Sequence, residues 1–262
     1  MYSAVLDRKD DDRGITTALW KGIPNPGSDP RFGMSWFDDF LMGDAAVVAD
    51  GILRTNAGIY TVDETTSGST GVDMSLGANG FLVSDPGATT KGQGHQIQGG
   101  PTVIPAAGKI TVFEARLKVS ITDPQFFLGL CTHSLAAGSG AVTGGETVVV
   151  NTSNVLDAVA FTNIVSNDCD ASIYTYNDET GETAVQGSTA VGTFVAATFI
   201  KLGFRIIGRE AVEYYVDGTK VSTYKSSSGS IPALAIQPIL VAQADGTQPV
   251  TTMDWWGLGQ TP

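Results

Sequence analysis

The sequence predicts an all-β chain folded as a two-sheet antiparallel sandwich, and three observations carry that prediction. Glycine contributes 32 of 262 residues and charged residues only 16%, against a usual ~7% and ~25%. A surface clothed in Thr, Ser, Asn, Gln and Gly rather than Glu, Lys and Arg suits strands and turns. From Trp36 onward short apolar runs alternate with turn signals, and helical periodicity is not sustained over about ten residues anywhere. At 262 residues the chain can bury about 70–75% of its unfolded surface in one core, and sandwiches of this size commonly run as a single domain.

Taken in order, residues 1–31 differ from all that follows. A charged start, Asp10-Asp11-Asp12-Arg13-Gly14, leads to Lys21–Arg31, where Pro24, Pro26 and Pro30 fall within seven positions. Prolines fix φ and push the residues before them out of the α region, so this segment reads as an extended arm in front of a sandwich over 32–262. Such an arm is either a linker or a segment that orders on a neighbouring subunit. The clearest strand is Lys109–Ile121: Phe113, Ala115, Leu117, Val119 and Ile121 fall on one face, Glu114, Arg116, Lys118 and Ser120 on the other. One face should pack and one should meet water. Further strands are expected at 126–131, 147–151, 158–165, 172–176, 199–207, 234–242 and 250–256. Asp217-Gly218 reads as a two-residue type I′ turn joining Glu213–Val216 to Thr219–Tyr224. A single helical turn is expected near Ser153–Leu156, and no repeat of propeller or solenoid length is visible.

The formal charge of −12 has no basic cluster to interrupt it. Direct nucleic-acid binding, which depends on phosphate neutralisation, is not expected. Cys131 and Cys169 are read as two buried thiols rather than a bridge. No apolar run approaches the ~20 residues of a membrane span, and the first residues lack an apolar export region, so no membrane partner is expected and synthesis in a cytoplasm is.

The sequence assembles no active site. Only His95 and His133 could serve histidine chemistry, and a Cys131–His133 pair reads as packing. Cys131, His133 and Cys169 lack the paired spacing of a zinc site, so no metal and no cofactor are expected. Retaining sandwich glycosidases need two acids about 5–5.5 Å apart. Glu210 and Glu213 fall on opposite strand faces, and Glu213 and Asp217 lie roughly 13 Å apart along one. The acidic loops 167–170 and 177–182 read as solvated turns, and the Gly-rich stretches 68–71, 92–100 and 138–145 lack the lysine and helix of a phosphate cradle. Alternation puts Trp255 and Trp256 on opposite faces. The candidate partner contacts are therefore Trp20, Pro24, Pro26 and Pro30 of the arm and Trp255 and Trp256 at the other end.

Read together, Trp36-Phe-Asp-Asp-Phe-Leu41, Phe113–Val119, Asp123–Leu130, Val212–Gly218, Ile231-Pro232, Gln237–Leu240 and Met253-Asp-Trp-Trp256 form a succession that resembles virion structural proteins of tailed bacteriophages carrying a concanavalin A-like (lectin/glucanase) jelly-roll domain. The Glu-x-Asp-x-x-Glu signature of sandwich glucanases does not occur. The resemblance implies a non-enzymatic jelly roll in a virion, with the acidic charge and the arm favouring a capsid decoration (cement) protein. Its expected partners are the major capsid protein and further copies of itself, as homodimer or homotrimer. The alternative is a carbohydrate-binding or structural domain of a tail fibre or spike, with a glycan ranked behind protein partners.

Overall fold

The computed structural model describes residues 14–24, 31, 33–40, 47–48, 51–55, 57–64, 73–77, 80–85, 94–121, 125–132, 142–144, 148–150, 157–163, 168–177, 182–226, 231–244 and 246–262. Among them the strands, numbered in chain order, build two large antiparallel sheets, and no α-helix occurs. The nine-stranded sheet runs β17 (Thr219–Lys225), β16 (Ala211–Val216), β15 (Ile200–Ile207), β8 (Ile110–Val119), β19 (Thr251–Gln260), β6 (Phe81–Asp85), β5 (Asp73–Gly77) and β2 (Val47–Val48), with β1 (Met34–Asp38) also paired to β19. The eight-stranded sheet runs β14 (Glu182–Thr193), β13 (Asp168–Asn177), β12 (Ala158–Asn163), β9 (Gln125–Cys131), β18 (Gln237–Gln243), β7 (Gly94–Gly99), β4 (Ile59–Glu64) and β3 (Gly51–Arg54). Between β9 and β12 in sequence, β10 (Val142–Gly144) and β11 (Val148–Val150) form a separate ribbon, with β11 against β9. This is the jelly-roll sandwich that the sequence predicts.

The core lies between the sheets and is filled by alternate residues of each strand. Phe113, Ala115, Leu117 and Val119 of β8 meet Phe126, Leu128 and Leu130 of β9, with Phe161, Phe204, Leu240 and Trp256. The turn at Asp217-Gly218 has φ values of 46° and 79°, the pair of left-handed residues that a type I′ hairpin needs. In β19 the register shifts between Met253 and Trp255, so Asp254 is a bulge residue. The bulge re-phases the strand: Met253, Trp256 and Leu258 face the core while Trp255 faces out.

A buried carboxylate pins β1 to the core. Asp38 accepts hydrogen bonds from the Phe40 N–H (2.9 Å), the Tyr60 hydroxyl (2.5 Å) and the Thr55 hydroxyl. Trp256 Nε1–H in turn donates to the Tyr60 oxygen at 3.3 Å. Burial raises the Asp38 pKa and pushes the Tyr60 phenol up as well, so Tyr60 stays a donor.

Three expectations need correction or qualification. The second face of β8 does not meet water along its length: Val112 is fully buried and Glu114 is 1% exposed. Residues 14–24 do not run extended; they turn and pack on the sandwich, because Ile15, Leu19 and Trp20 are apolar enough to fold onto it. The Gly-rich stretch 92–100 supplies a sheet strand, β7, between β18 and β4. The helical turn expected at 153–156 lies outside the described residues.

Candidate functional site

The outer face of the nine-stranded sheet carries the most elaborate constellation among the described residues. Residues 14–24 lie across it as a strap. The Trp20 N–H donates to the Thr16 carbonyl (3.0 Å) and the Ile23 N–H to the Trp20 carbonyl (3.1 Å), with Gly22 at φ 87° ending the turn. This local fold turns Ile15, Leu19 and Trp20 down into a cluster with Phe37, Val112, Tyr215 and Trp255, with Ile23 and Ile110 at its margin. The Trp20 and Phe37 rings lie 4.7 Å apart between centroids, and Phe37 and Trp255 lie 6.5 Å apart.

Glycines shape the seat. A Cβ at Gly203 would lie 2.5 Å from Leu19 Cδ2; at Gly257, 2.5 Å from Phe37 Cε1; at Gly259, 2.5 Å from Ile23 Cγ2 and 2.9 Å from Trp20 Cζ3. Any side chain at these positions would occupy the volume that the strap and Phe37 fill. The trough is therefore written into β15 and β19 as missing side chains.

At the floor of the trough sits Glu114. Its Oε2 accepts from the Thr16 N–H (3.0 Å) and from Trp20 Nε1–H (2.6 Å), and its Oε1 accepts from the Thr16 hydroxyl (2.5 Å). Desolvation raises its pKa; the three hydrogen bonds and the charge of Lys201 oppose that without cancelling it. Lys201 Nζ also donates to the Gly14 carbonyl at 3.3 Å. Beside the seat, Arg116 and Asp254 form a pair at 2.6 Å, and the Arg116 guanidinium stacks 3.9 Å from the Phe199 ring centroid.

The outer face of the eight-stranded sheet is built differently. Phe127, Cys131, Ala158, Ala160, Ile239 and Val241 form a small apolar cluster, each at most 1% exposed. Buried amides flank it: Gln96 Nε2–H donates to Gln98 Oε1 (3.5 Å), and Gln98 Nε2–H points to the Cys131 sulfur (3.7 Å). Gln125 is 2% exposed, and neither of its amide atoms finds a partner among the described residues.

The predicted site residues divide sharply. Trp20, Trp255 and Trp256 are buried within this chain, at 7%, 2% and 0% exposure, so none is free to meet a partner from this fold. Pro24 is half-buried at the end of the strap, and Pro26 and Pro30 lie outside the described residues. Cys131 and Cys169 are buried thiols, not bridged to each other, in clusters on opposite faces of the eight-stranded sheet. Burial pushes the Cys169 thiol up, so it stays protonated. Glu213 accepts from Lys220 Nζ (3.1 Å) and the Tyr215 hydroxyl (3.2 Å), Asp217 Oδ1 accepts the Lys201 N–H (2.9 Å), and Glu210 sits in the turn before β16. His133 lies outside the described residues; His95 falls within β7. Among the described residues no group of three or more His, Cys, Asp or Glu is placed to hold a metal. Sequence reasoning missed Glu114 because β8 alternates as a half-exposed strand does. The detectable signal was the glycines at 203, 257 and 259, each at an outward strand position.

These features define a two-sheet jelly-roll sandwich whose outer faces are built over by its own residues. The sequence matches no family model and no curated protein. Solved structures do match in fold. A seed lectin of Lotus tetragonolobus superposes with a TM-score of 0.55 at 11% identity, covering 87% of this chain and 98% of the lectin. The Emp47p carbohydrate recognition domain gives 0.54 at 11% identity, over 88% and 98%. β-Agarase A of Zobellia galactanivorans gives 0.51 at 17% identity, over 92% and 97%.

Proposed function

We propose that this chain is a non-enzymatic structural protein of a tailed-phage particle, a head decoration protein that binds the major capsid protein and stabilises the shell by contact. The observation that carries this reading is the use made of the outer faces. Strap residues seal the trough of one sheet, and the central strands of the other are buried at Phe127, Ala160 and Val241. The buried carboxylates Asp38, Glu114 and Asp254 are each tied to structural donors rather than paired as acid and base. Rims and loops then supply the working surface. A protein that binds the assembled shell in preference to free subunits stabilises it by mass action. Purified full-length chain added to undecorated capsids is expected to co-sediment with them at a fixed saturating ratio. Failure to bind shells, with imaging that finds the chain elsewhere or nowhere on the particle, overturns the reading.

Carbohydrate recognition is the second reading, favoured by the lectin neighbours, among them a lectin complexed with galactose. Its readout is a glycan array. Trp255 and Trp256 cannot be the stacking residues, since both are buried, so substituting them would report on folding rather than on sugar binding.

A further inference from the structure

We propose that two bridged loops at one end of the sandwich, residues 100–109 between β7 and β8 and residues 231–236 before β18, form a docking surface for a second copy of this chain, related to the first by a two-fold axis. The proposal does not depend on what particle the protein belongs to.

Over twelve positions these loops hold no charged or polar side chain: Val103-Ile-Pro-Ala-Ala-Gly108 and Ile231-Pro-Ala-Leu-Ala-Ile236. Val103 and Ile236 pair as an antiparallel bridge, each N–H donating to the other's carbonyl, at 2.9 and 2.8 Å. Both are buried, so alternation turns Ile104 and Ala235, the next opposed positions, to the outside. Ile104 and Leu234 are each 52% exposed, and Ala107, Ala233 and Ala235 of the same loops are exposed as well.

The loops are pinned from several sides. The Lys109 N–H donates to the Ala106 carbonyl (3.0 Å) and the Gly208 N–H to the Lys109 carbonyl (2.8 Å). Gln260 Nε2–H donates to the Ile104 carbonyl (2.9 Å), and Arg209 Nε–H and Nη2–H both donate to the Ile231 carbonyl (3.4 Å each). The apolar side chains are therefore in place before a partner arrives, and a contact made through them costs little ordering.

Charge selects the occupant. With 27 acids against 15 bases, two copies repel each other wherever that excess is displayed. The patch carries none of it. At its edge stand Arg209 and Glu210, adjacent, exposed and opposite in sign, and the Glu210 carboxylate has no ion-pair partner among the described residues. A two-fold axis through the patch sets Arg209 of each copy against Glu210 of the other. The result is two identical ion pairs around an apolar centre, the arrangement of an isologous contact. A basic partner would be drawn to the acidic surfaces instead, and an anionic lipid surface would be repelled by the chain's net charge.

Sedimentation velocity on the full chain across a concentration series tests this. The wild-type chain is expected to pass from monomer to dimer as concentration rises. Leu234→Asp and Ile104→Asp each put an unpartnered charge into the apolar contact and should raise the dissociation constant about tenfold or more. An unchanged thermal midpoint shows that the fold is intact. Arg209→Glu and Glu210→Arg give a sharper readout. Either variant alone sets like charges against each other across the axis and should dimerise weakly. When the two are mixed, one chain supplies two acids and the other two bases, and a heterodimer should form more tightly than either homodimer, a result that no folding defect produces. A wild-type chain that stays monomeric at every concentration overturns the proposal, even one that binds capsids or vesicles through these loops. So does a dimer that Leu234→Asp and Ile104→Asp leave unweakened, or a mixture of the two rim variants that associates no better than either alone.

Discussion

The two outer sheet faces solve the same problem in opposite ways. On the nine-stranded sheet, Gly203, Gly257 and Gly259 open a trough, a distant segment fills it, and Glu114 at its floor is met by three hydrogen bonds. On the eight-stranded sheet a small apolar cluster is flanked by buried amides, and Gln125 is buried with neither amide atom satisfied among the described residues. The first face is specified by shape and by directional polar contacts across about a hundred positions of sequence. The second is specified by apolar burial, which is non-directional and tolerant of exchange. Substitutions should therefore be felt keenly on the first face and weakly on the second.

The largest expected effect is from Trp20→Ala, which removes a buried ring and one donor to Glu114. Strap docking should weaken by about 3–5 kcal/mol, the usual cost of truncating a buried Trp, read as faster hydrogen exchange at 14–24 with β9 and β18 unaffected. Gly259→Ala comes next. Its methyl would overlap Ile23 and Trp20, and overpacking of this kind costs about 1–3 kcal/mol. The same exchange measurement should show the strap loosened while the sheet holds. A strap as firmly held as before would mean that the trough does not set the fit.

The pH dependence is smaller and has a definite sign. The Glu114 pKa is raised in the docked state, so docking favours its protonated form. Strap stability is fully present below the ordinary carboxylate range and is lost as pH rises through the raised value. Strap protection should fall across that window, and Glu114→Gln should flatten the fall. A strap that tightens with rising pH would reverse the assignment. The smallest effect is expected on the other face. Replacing an unsatisfied buried amide by an apolar group of similar size is close to neutral or stabilising, so Gln125→Leu should shift the thermal midpoint of unfolding by only a few degrees, upward if at all. A large loss would show that Gln125 has a polar partner.

How much of this was legible beforehand is seen best in β8, β19 and β7. The inward set of β8 was readable because Phe113, Ala115, Leu117 and Val119 alternate. The opposite facing of Trp255 and Trp256 was readable for the same reason, and the β16–β17 hairpin because Asp-Gly accepts positive φ. β7, Gly94–Gly99, was hidden by its glycines, which read as loop but allow close backbone neighbours on both sides. The strap was hidden by its prolines and acids, which dominate residues 1–31 while Leu19 and Trp20 supply the contact.

The sequence by itself determined the class of fold and the inward half of its strands, since both follow from period-two patterning and turn chemistry, which are local. The tertiary structure alone decided which outward residues are buried. Glu114 and Trp255 look solvent-facing on their own strands, and only the arrival of Thr16, Leu19 and Trp20 from the far end of the chain puts them inside. Burial is a property of what lies on top of a surface: the outward glycines of β19 mark the space, but nothing in β8 or β19 records which segment will fill it.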